Sequence, residues 1–185
     1  MLAVTWQESR LQAIDWPLVL SKHGPGVWKT VYRLLGNEAD AADCFQETFM
    51  CALEVSRQQR VRNFSALLAR VATSRAINRL RQRTRESQRN GEPADWAMVA
   101  GSNPGPFEQV QARELAAKLR EALAELPPQE AEAFCLRCFS DMSYRQIAKE
   151  LGIKTNAAGI LLHRARTKLR NSLEPVVVEE NEVRQ

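Results

Sequence analysis

The chain has 185 residues, with 26 Lys and Arg against 22 Asp and Glu for a formal charge of +4, and 44% of its residues are hydrophobic. That balance suits one or two compact soluble domains and excludes a disordered or fibrous chain. The longest stretch without a charged side chain, Trp96 to Phe107, spans twelve residues and holds Pro104 and Pro106, too short and too broken to cross a bilayer. The N-terminal MLAVTWQESR lacks the basic-then-apolar pattern of a secretory signal, so a cytoplasmic location is expected.

Read in chain order, Gly24, Pro25 and Gly26 break the chain before a helix expected from about Val27 to Leu35, whose Val31, Leu34 and Leu35 face a core. From Asn37 to Glu54 the spacing sets Ala41, Phe45, Phe49, Ala52 and Leu53 on one helical face and Asp43, Glu47, Met50 and Glu54 on the other. Leu34 to Ser56 contains five acids and no base. A polar, Arg-rich loop, Ser56 to Asn63, leads into a third helix expected from about Ser65 to Arg83. It buries Leu67, Leu68, Val71, Ala72, Ile77 and Leu80 and projects Arg70, Arg75, Arg79, Arg81 and Arg83.

The mean charge is misleading. Arg57 to Arg89 carries ten arginines and one acid, so this segment is +9 and the remainder of the chain is −5. A second basic block, Ser143 to Arg170, holds Arg145, Lys149, Lys154, Arg164, Arg166, Lys168 and Arg170 against Glu150. Two basic surfaces point to two contacts with a polyanion. Ten arginines without a lysine favour bidentate contacts to phosphates and bases over a merely solvated face.

Proline, glycine and polar residues concentrate between about Glu86 and Gln109, which reads as a linker; Trp96 within it is either a docking anchor or a residue packed back onto a domain. Leu115 to Leu126 is amphipathic and stops at Pro127-Pro128, and a further helix follows through about Phe139. Ser143-Tyr144-Arg145-Gln146-Ile147-Ala148-Lys149-Glu150-Leu151-Gly152-Ile153 then fits a helix-turn-helix. Small Ala148 sits where two helices touch, Gly152 makes the left-handed turn, and Ile147, Leu151 and Ile153 form the packed set. The second helix, Thr155 to about Arg170, buries Ala158, Leu161, Leu162, Ala165 and Leu169 and exposes Asn156, Ile160, His163, Arg164, Thr167 and Lys168. After Leu173 comes an acidic tail, expected to be a solvated, disordered end.

No segment alternates apolar and polar residues as a strand does, so the fold class is all-α: two small helical domains joined by a flexible linker. The expected division is 1–85, linker 86–110, 111–173 and tail 174–185. Cys44, Cys51, Cys135 and Cys138 lie in apolar helical segments and read as reduced core residues; Cys135 and Cys138 form a C-x-x-C with no second ligand pair to complete a metal site. No metal or other cofactor is expected. The chain has no Gly-rich phosphate loop and no nucleophile elbow, so no catalytic residue is assigned and an enzyme is disfavoured.

DAADCFQETFMCALE (Asp40 to Glu54), the Arg-rich third helix and the block from Leu126 to Leu169 together resemble a bacterial RNA polymerase sigma factor of the extracytoplasmic-function group. Such proteins consist of two helical domains, region 2 and region 4. The resemblance implies that Asp40, Asp43, Gln46 and Glu47 dock on a coiled coil of the polymerase β′ subunit, with Ala41 and Phe49 completing the pattern. It further implies that Arg60, Arg62, Asn63, Arg70, Arg75, Asn78, Arg79 and Arg81 serve the −10 element and its unpaired strand. Arg145, Lys154, Thr155, Asn156, Ala157, Ile160, Arg164 and Lys168 would serve the −35 element in the major groove. The chain departs from the family pattern at Leu67, Ser74 and Asn78, usually Trp, Asn and Asp, and at Gly159-Ile160-Leu161, commonly Lys-Ser-Arg. Implied partners are core RNA polymerase (β′ and β), promoter DNA and an anti-sigma factor, with no membrane contact by the chain itself. The alternative is a stand-alone helix-turn-helix regulator that binds duplex DNA as a dimer.

Overall fold

The computed structural model describes the backbone of residues 14–90 and 106–182, and side chains over 14–89 and 112–173. The described residues form seven α-helices and no strand: α1 (Trp16–Leu35), α2 (Glu38–Gln58), α3 (Phe64–Asn90), α4 (Pro106–Glu125), α5 (Pro128–Phe139), α6 (Tyr144–Leu151) and α7 (Thr155–Glu182). Trp96 and the middle of the expected linker lie outside the described residues.

The first helix is longer than Gly24-Pro25-Gly26 suggests. Asp15 caps it, its carboxylate accepting the Leu18 N–H at 3.0 Å, and the helix runs through Pro25 to a left-handed Gly36. Packing offsets the lost backbone bond at Pro25. Gly24 is buried beside Phe45, and Val27, Val31, Leu34 and Leu35 are buried one, two and three turns on. Trp28 stacks on Tyr32 and meets Phe45 edge-on, while Trp16 meets Phe64 edge-on at 5.7 Å, fastening the start of α1 to the start of α3.

On α2 the buried line is Ala41, Cys44, Thr48, Ala52 and Ser56: Ala41 and Ala52 are buried as expected, while Cys44, Thr48 and Ser56 take the innermost places expected for Phe45, Phe49 and Leu53. Small residues on this line let α2 lie close against α3. The polar members satisfy themselves locally, Thr48 donating to the Cys44 carbonyl at 2.7 Å and Ser56 to that of Leu53 at 2.7 Å. Phe45 and Phe49 are half-buried at the edge of the core.

The two halves share one interior. Val31, Leu34, Leu68, Ile77 and Leu80 belong to the same apolar cluster as Leu123, Leu126, Cys135, Ala165 and Leu169. A second cluster joins Ala66 of α3 to Leu136, Met142, Ile147 and Leu162. Arg120, 4% exposed, fastens the junction: its Nε donates to the Leu34 carbonyl at 3.1 Å and its Nη2 to that of Arg33 at 3.2 Å. These are bare carbonyls of the last turn of α1, where a cation also meets the negative end of the helix dipole.

Further boundaries differ from expectation. α3 runs to Asn90 rather than Arg83 and α4 begins at Pro106, nine residues before Leu115, so both helices enter the expected linker 86–110; α7 continues as helical backbone to Glu182, into the segment expected to be a disordered tail. Of the four cysteines, Cys44 and Cys135 are buried as expected and Cys51 is half-buried. Cys138 is exposed, because it lies on the outer side of α5 while Cys135 points inward.

Candidate nucleic-acid interface

The helix-turn-helix is built by local chemistry. Ser143 and Gln146 form a reciprocal capping box: the Gln146 N–H bonds to the Ser143 hydroxyl, and the Ser143 N–H donates to the Gln146 side-chain oxygen at 2.8 Å. Gly152 sits at φ +66°, and the Ile153 N–H reaches back to the Ala148 carbonyl at 2.9 Å, closing α6 with a Schellman turn. Ile147, Ala148, Ala158 and Leu162 are buried between α6 and α7, so the register of the two helices is fixed. Lys154, Thr155, Asn156, Ile160, Arg164 and Lys168 are exposed, Ala157 is half-buried at the start of α7, and Arg145 is exposed on α6.

Lys168 reaches across to α5, its ammonium 2.8 Å from the carboxylate of buried Glu130. Its charge is already engaged within the fold. Exposed Arg164 is the stronger candidate for a backbone phosphate.

In the first half, α2 presents Asp43, Gln46 and Glu47 to solvent, and Asp40 lies half-buried at its start. Asn37 caps the helix, accepting the Asp40 N–H at 2.7 Å, and its amide donates to the Asp40 carboxylate at 2.8 Å. The arginines of α3 lie directly across. Arg79 bonds Asp40 at 3.0 Å and approaches Asp43 at 3.5 Å, Arg83 bonds Asp40 at 3.1 Å, and Arg75 bonds Glu47 at 2.5 Å. Asp40, Asp43, Cys44, Glu47, Arg75, Asn78, Arg79 and Gln82 thus line one shallow groove. Acidic and basic surfaces that read as separate in the sequence face each other as one seam.

Burial alone would raise the Asp40 pKa. The hydrogen bonds from Asn37 and Arg79, with the charges of Arg79 and Arg83, outweigh it and hold this carboxyl below its ordinary value. The Cys44 thiol, by contrast, is pushed up to about 11 by desolvation and the nearby Glu47 charge, so it is not a reactive thiolate at neutral pH.

Other expected DNA contacts have structural partners. Asn63 caps α3, its side-chain oxygen accepting the Ala66 N–H at 3.1 Å. Arg70 pairs with Glu150 of α6 at 3.6 Å, tying the basic helix to the helix-turn-helix. Arg81 donates to the Leu126 carbonyl beneath the turn between α4 and α5, and desolvation, followed by repulsion from Arg85, lowers its pKa. Arg60, Arg62 and Asn78 remain exposed. Asn37 and Arg83 belong to the seam although neither was assigned a role from sequence. An Asn directly before an acidic first turn is a readable helix start, whereas the choice of Arg83 depends on tertiary contact.

Among the described residues no helix is long and apolar enough to cross a membrane, and no three His, Cys, Asp or Glu side chains come together as a metal site.

Family models place this arrangement. Residues 19–86 match "Sigma-70 region 2" and residues 116–169 match "Sigma-70, region 4", so the seam falls in the first and the helix-turn-helix in the second. The chain belongs to the extracytoplasmic-function sigma factors. It is 31% identical over 159 residues to the "ECF RNA polymerase sigma factor SigE" of Mycolicibacterium smegmatis, a match covering 86% of this chain and 62% of that one. It is 26% identical over 154 residues to "ECF RNA polymerase sigma factor SigW" of Bacillus subtilis, covering 80% of this chain and 82% of the relative. Among solved structures, the sigma factor RpoE in complex with the anti-sigma factor NepR from Bartonella quintana superposes with a TM-score of 0.56 at 22% identity. That match covers 86% of this sigma factor and 97% of the other chain, and supports the fold.

Proposed function

We propose that this sigma factor binds core RNA polymerase, recognises promoter −10 and −35 elements and promotes transcription initiation, bond formation being left to the polymerase. The observation that carries the reading is the juxtaposition in region 2 of an exposed acidic line, Asp43, Gln46 and Glu47, with an arginine helix. The whole is packed beside a capped helix-turn-helix whose second helix is exposed and basic. The acidic line suits a basic helical surface of the β′ subunit. Arg60, Arg62 and Asn78 stand open for the unpaired strand, and Arg75 and Arg79 exchange carboxylate partners for phosphates. A protein opens duplex DNA only by binding the opened form better, and groups that hold an extruded base supply that difference. Phosphate contacts add affinity with little sequence information.

The functional division follows residues 1–85, 86–110 and 111–173. With Arg70 paired to Glu150, the two reading surfaces adjoin, whereas two turns of DNA separate promoter elements by about 70 Å. The halves therefore part on promoter binding. The fifteen residues between α3 and α4 extend to about 50 Å at 3.3 Å each, so the ends of those helices supply the rest of the reach. Once one half is bound, the tether raises the effective concentration of the other. A packed form with both surfaces adjoining is also one that an anti-sigma factor can hold. The site of action is the compartment of the polymerase, the cytoplasm.

Run-off transcription with purified core polymerase on a panel of genomic fragments tests the proposal. Discrete start sites that require the added chain are expected. With Arg75→Gln and Arg79→Gln, the slope of log affinity against log salt should fall by about 1.5, the loss of two phosphate contacts. Occupancy of a palindrome by the chain alone, with no start-site selection by the polymerase, defeats the assignment.

A further inference from the structure

Six large hydrophobic side chains among the described residues are markedly exposed, and two of them, Tyr144 at 41% and Ile160 at 52%, lie in the helix-turn-helix. The Tyr144 ring lies 3.9 Å from the point where Gly159 would carry a Cβ, directly before Ile160. Ile160 also stands in the middle of an otherwise polar stripe of α7, with Asn156 one turn before it and His163, Arg164 and Thr167 after it, all exposed. A solvated helix face has no need of an isoleucine at that place. A protein-facing patch would extend along α7 into further exposed apolar residues, whereas Asn156, His163 and Arg164 flank Ile160 one turn away on either side.

A small apolar spot ringed by cations and an amide matches the floor of a major groove, where phosphates flank the base edges. Thymine alone among the bases presents an apolar group there, its C5-methyl. Resting on the promoter-reading assignment above, we infer that Ile160 is a specificity-determining residue of the −35 contact, selecting thymine by packing on its methyl group. Asn156 lies four residues earlier, about 6 Å along the helix at 1.5 Å per residue, which is one to two base-pair steps. An Asn at that offset fits adenine N6 and N7. The pair reads an adenine and a thymine within two base pairs of each other.

The test uses the full chain assembled with core polymerase. A promoter library randomised across the −35 region supplies the preferred sequence, and each thymine in it is then replaced singly by deoxyuridine, which removes the methyl and keeps base pairing. At one position the replacement should weaken wild-type binding about fourfold, the factor that one buried carbon is worth. Ile160→Ala should bind the thymine template more weakly by a similar or larger factor and show no further loss on deoxyuridine, with Ile160→Val intermediate. Circular dichroism identical to wild type confirms that the exposed substitution leaves the helix folded. A selected sequence in which no deoxyuridine matters, or in which the penalty persists unchanged in Ile160→Ala, overturns the role of Ile160 and leaves promoter reading standing. Failure to select any −35 sequence overturns promoter reading by this helix, and the inference with it.

Discussion

Replacing Arg120 with Met isolates the polar fastening of the two halves, because Met keeps much of the apolar stem and removes the guanidinium. Two carbonyls at the end of α1, those of Arg33 and Leu34, then lose their donors inside a closed interface. An unsatisfied buried acceptor costs about 1–3 kcal/mol. The two together would cost about 2–6 kcal/mol, less what is regained by no longer burying a cation whose pKa is lowered first by desolvation and then by the Arg83 charge. The expected net loss is about 2–4 kcal/mol. Urea unfolding in a Trp6→Phe, Trp96→Phe background followed by two probes measures it: tryptophan fluorescence, then arising from Trp16 and Trp28 of α1, and far-ultraviolet circular dichroism over all seven helices. The wild type should show coincident transitions, since its halves share an interior, and the variant should show a lower midpoint and separated curves. A variant within about 0.5 kcal/mol of wild type, with the two probes still coincident, refutes the reasoning that these bonds hold the halves together.

Three further outcomes are expected. Asp40 has a folded pKa below its ordinary value, so its contribution to stability is complete above about pH 4 and is lost as pH falls through the lowered value. Asp40→Asn should lower stability at neutral pH and flatten the acid limb of the stability profile, and an acid limb identical to wild type would falsify the assigned pairing. Gly152→Ala forces an L side chain to φ +66° with open space around it, a cost of about 1–2 kcal/mol from backbone strain alone; a variant as stable as wild type in thermal melts counts against that turn. Lys168→Met strips the buried Glu130 of its cation and should destabilise region 4 by about 1 kcal/mol, half of the lysine being exposed. Adding Glu130→Gln should restore most of that loss, and a double variant no better than the single one contradicts the pairing.

What the sequence made legible is what short-range chemistry decides. The Ala148 to Gly152 spacing and the buried Ile147 follow from residues within a dozen positions of one another, and the structure contains them as read; the Ser143 cap, equally local, was not singled out from the sequence. The all-α class likewise needs only periodicity. Long-range pairing was not legible. Arg79 finds Asp40 at a separation of 39 residues, Arg120 finds its carbonyls 86 and 87 residues away, and nothing in the spacing of either segment marks those partners. The break expected at Pro25 was overruled by burial of Gly24 against Phe45, a tertiary contact that outweighs a local signal. The α2 core line was read correctly at Ala41 and Ala52 and shifted elsewhere, because apolar bulk marked Phe45 and Phe49, which pack only at its edge. Close packing on α3 selected the small line of Ala41, Cys44, Thr48 and Ala52.

The guanidinium of Arg120 also bears on how such chains can be recombined. Transplanting a −35 module from one relative onto the amino-terminal half of another would import an α4 shaped for a different final turn of α1, and the graft would meet bare carbonyls and mismatched apolar surface. A viable chimaera of this protein would therefore carry α4 with its native α1, placing the crossover after Leu126 or exchanging both helices as a matched pair.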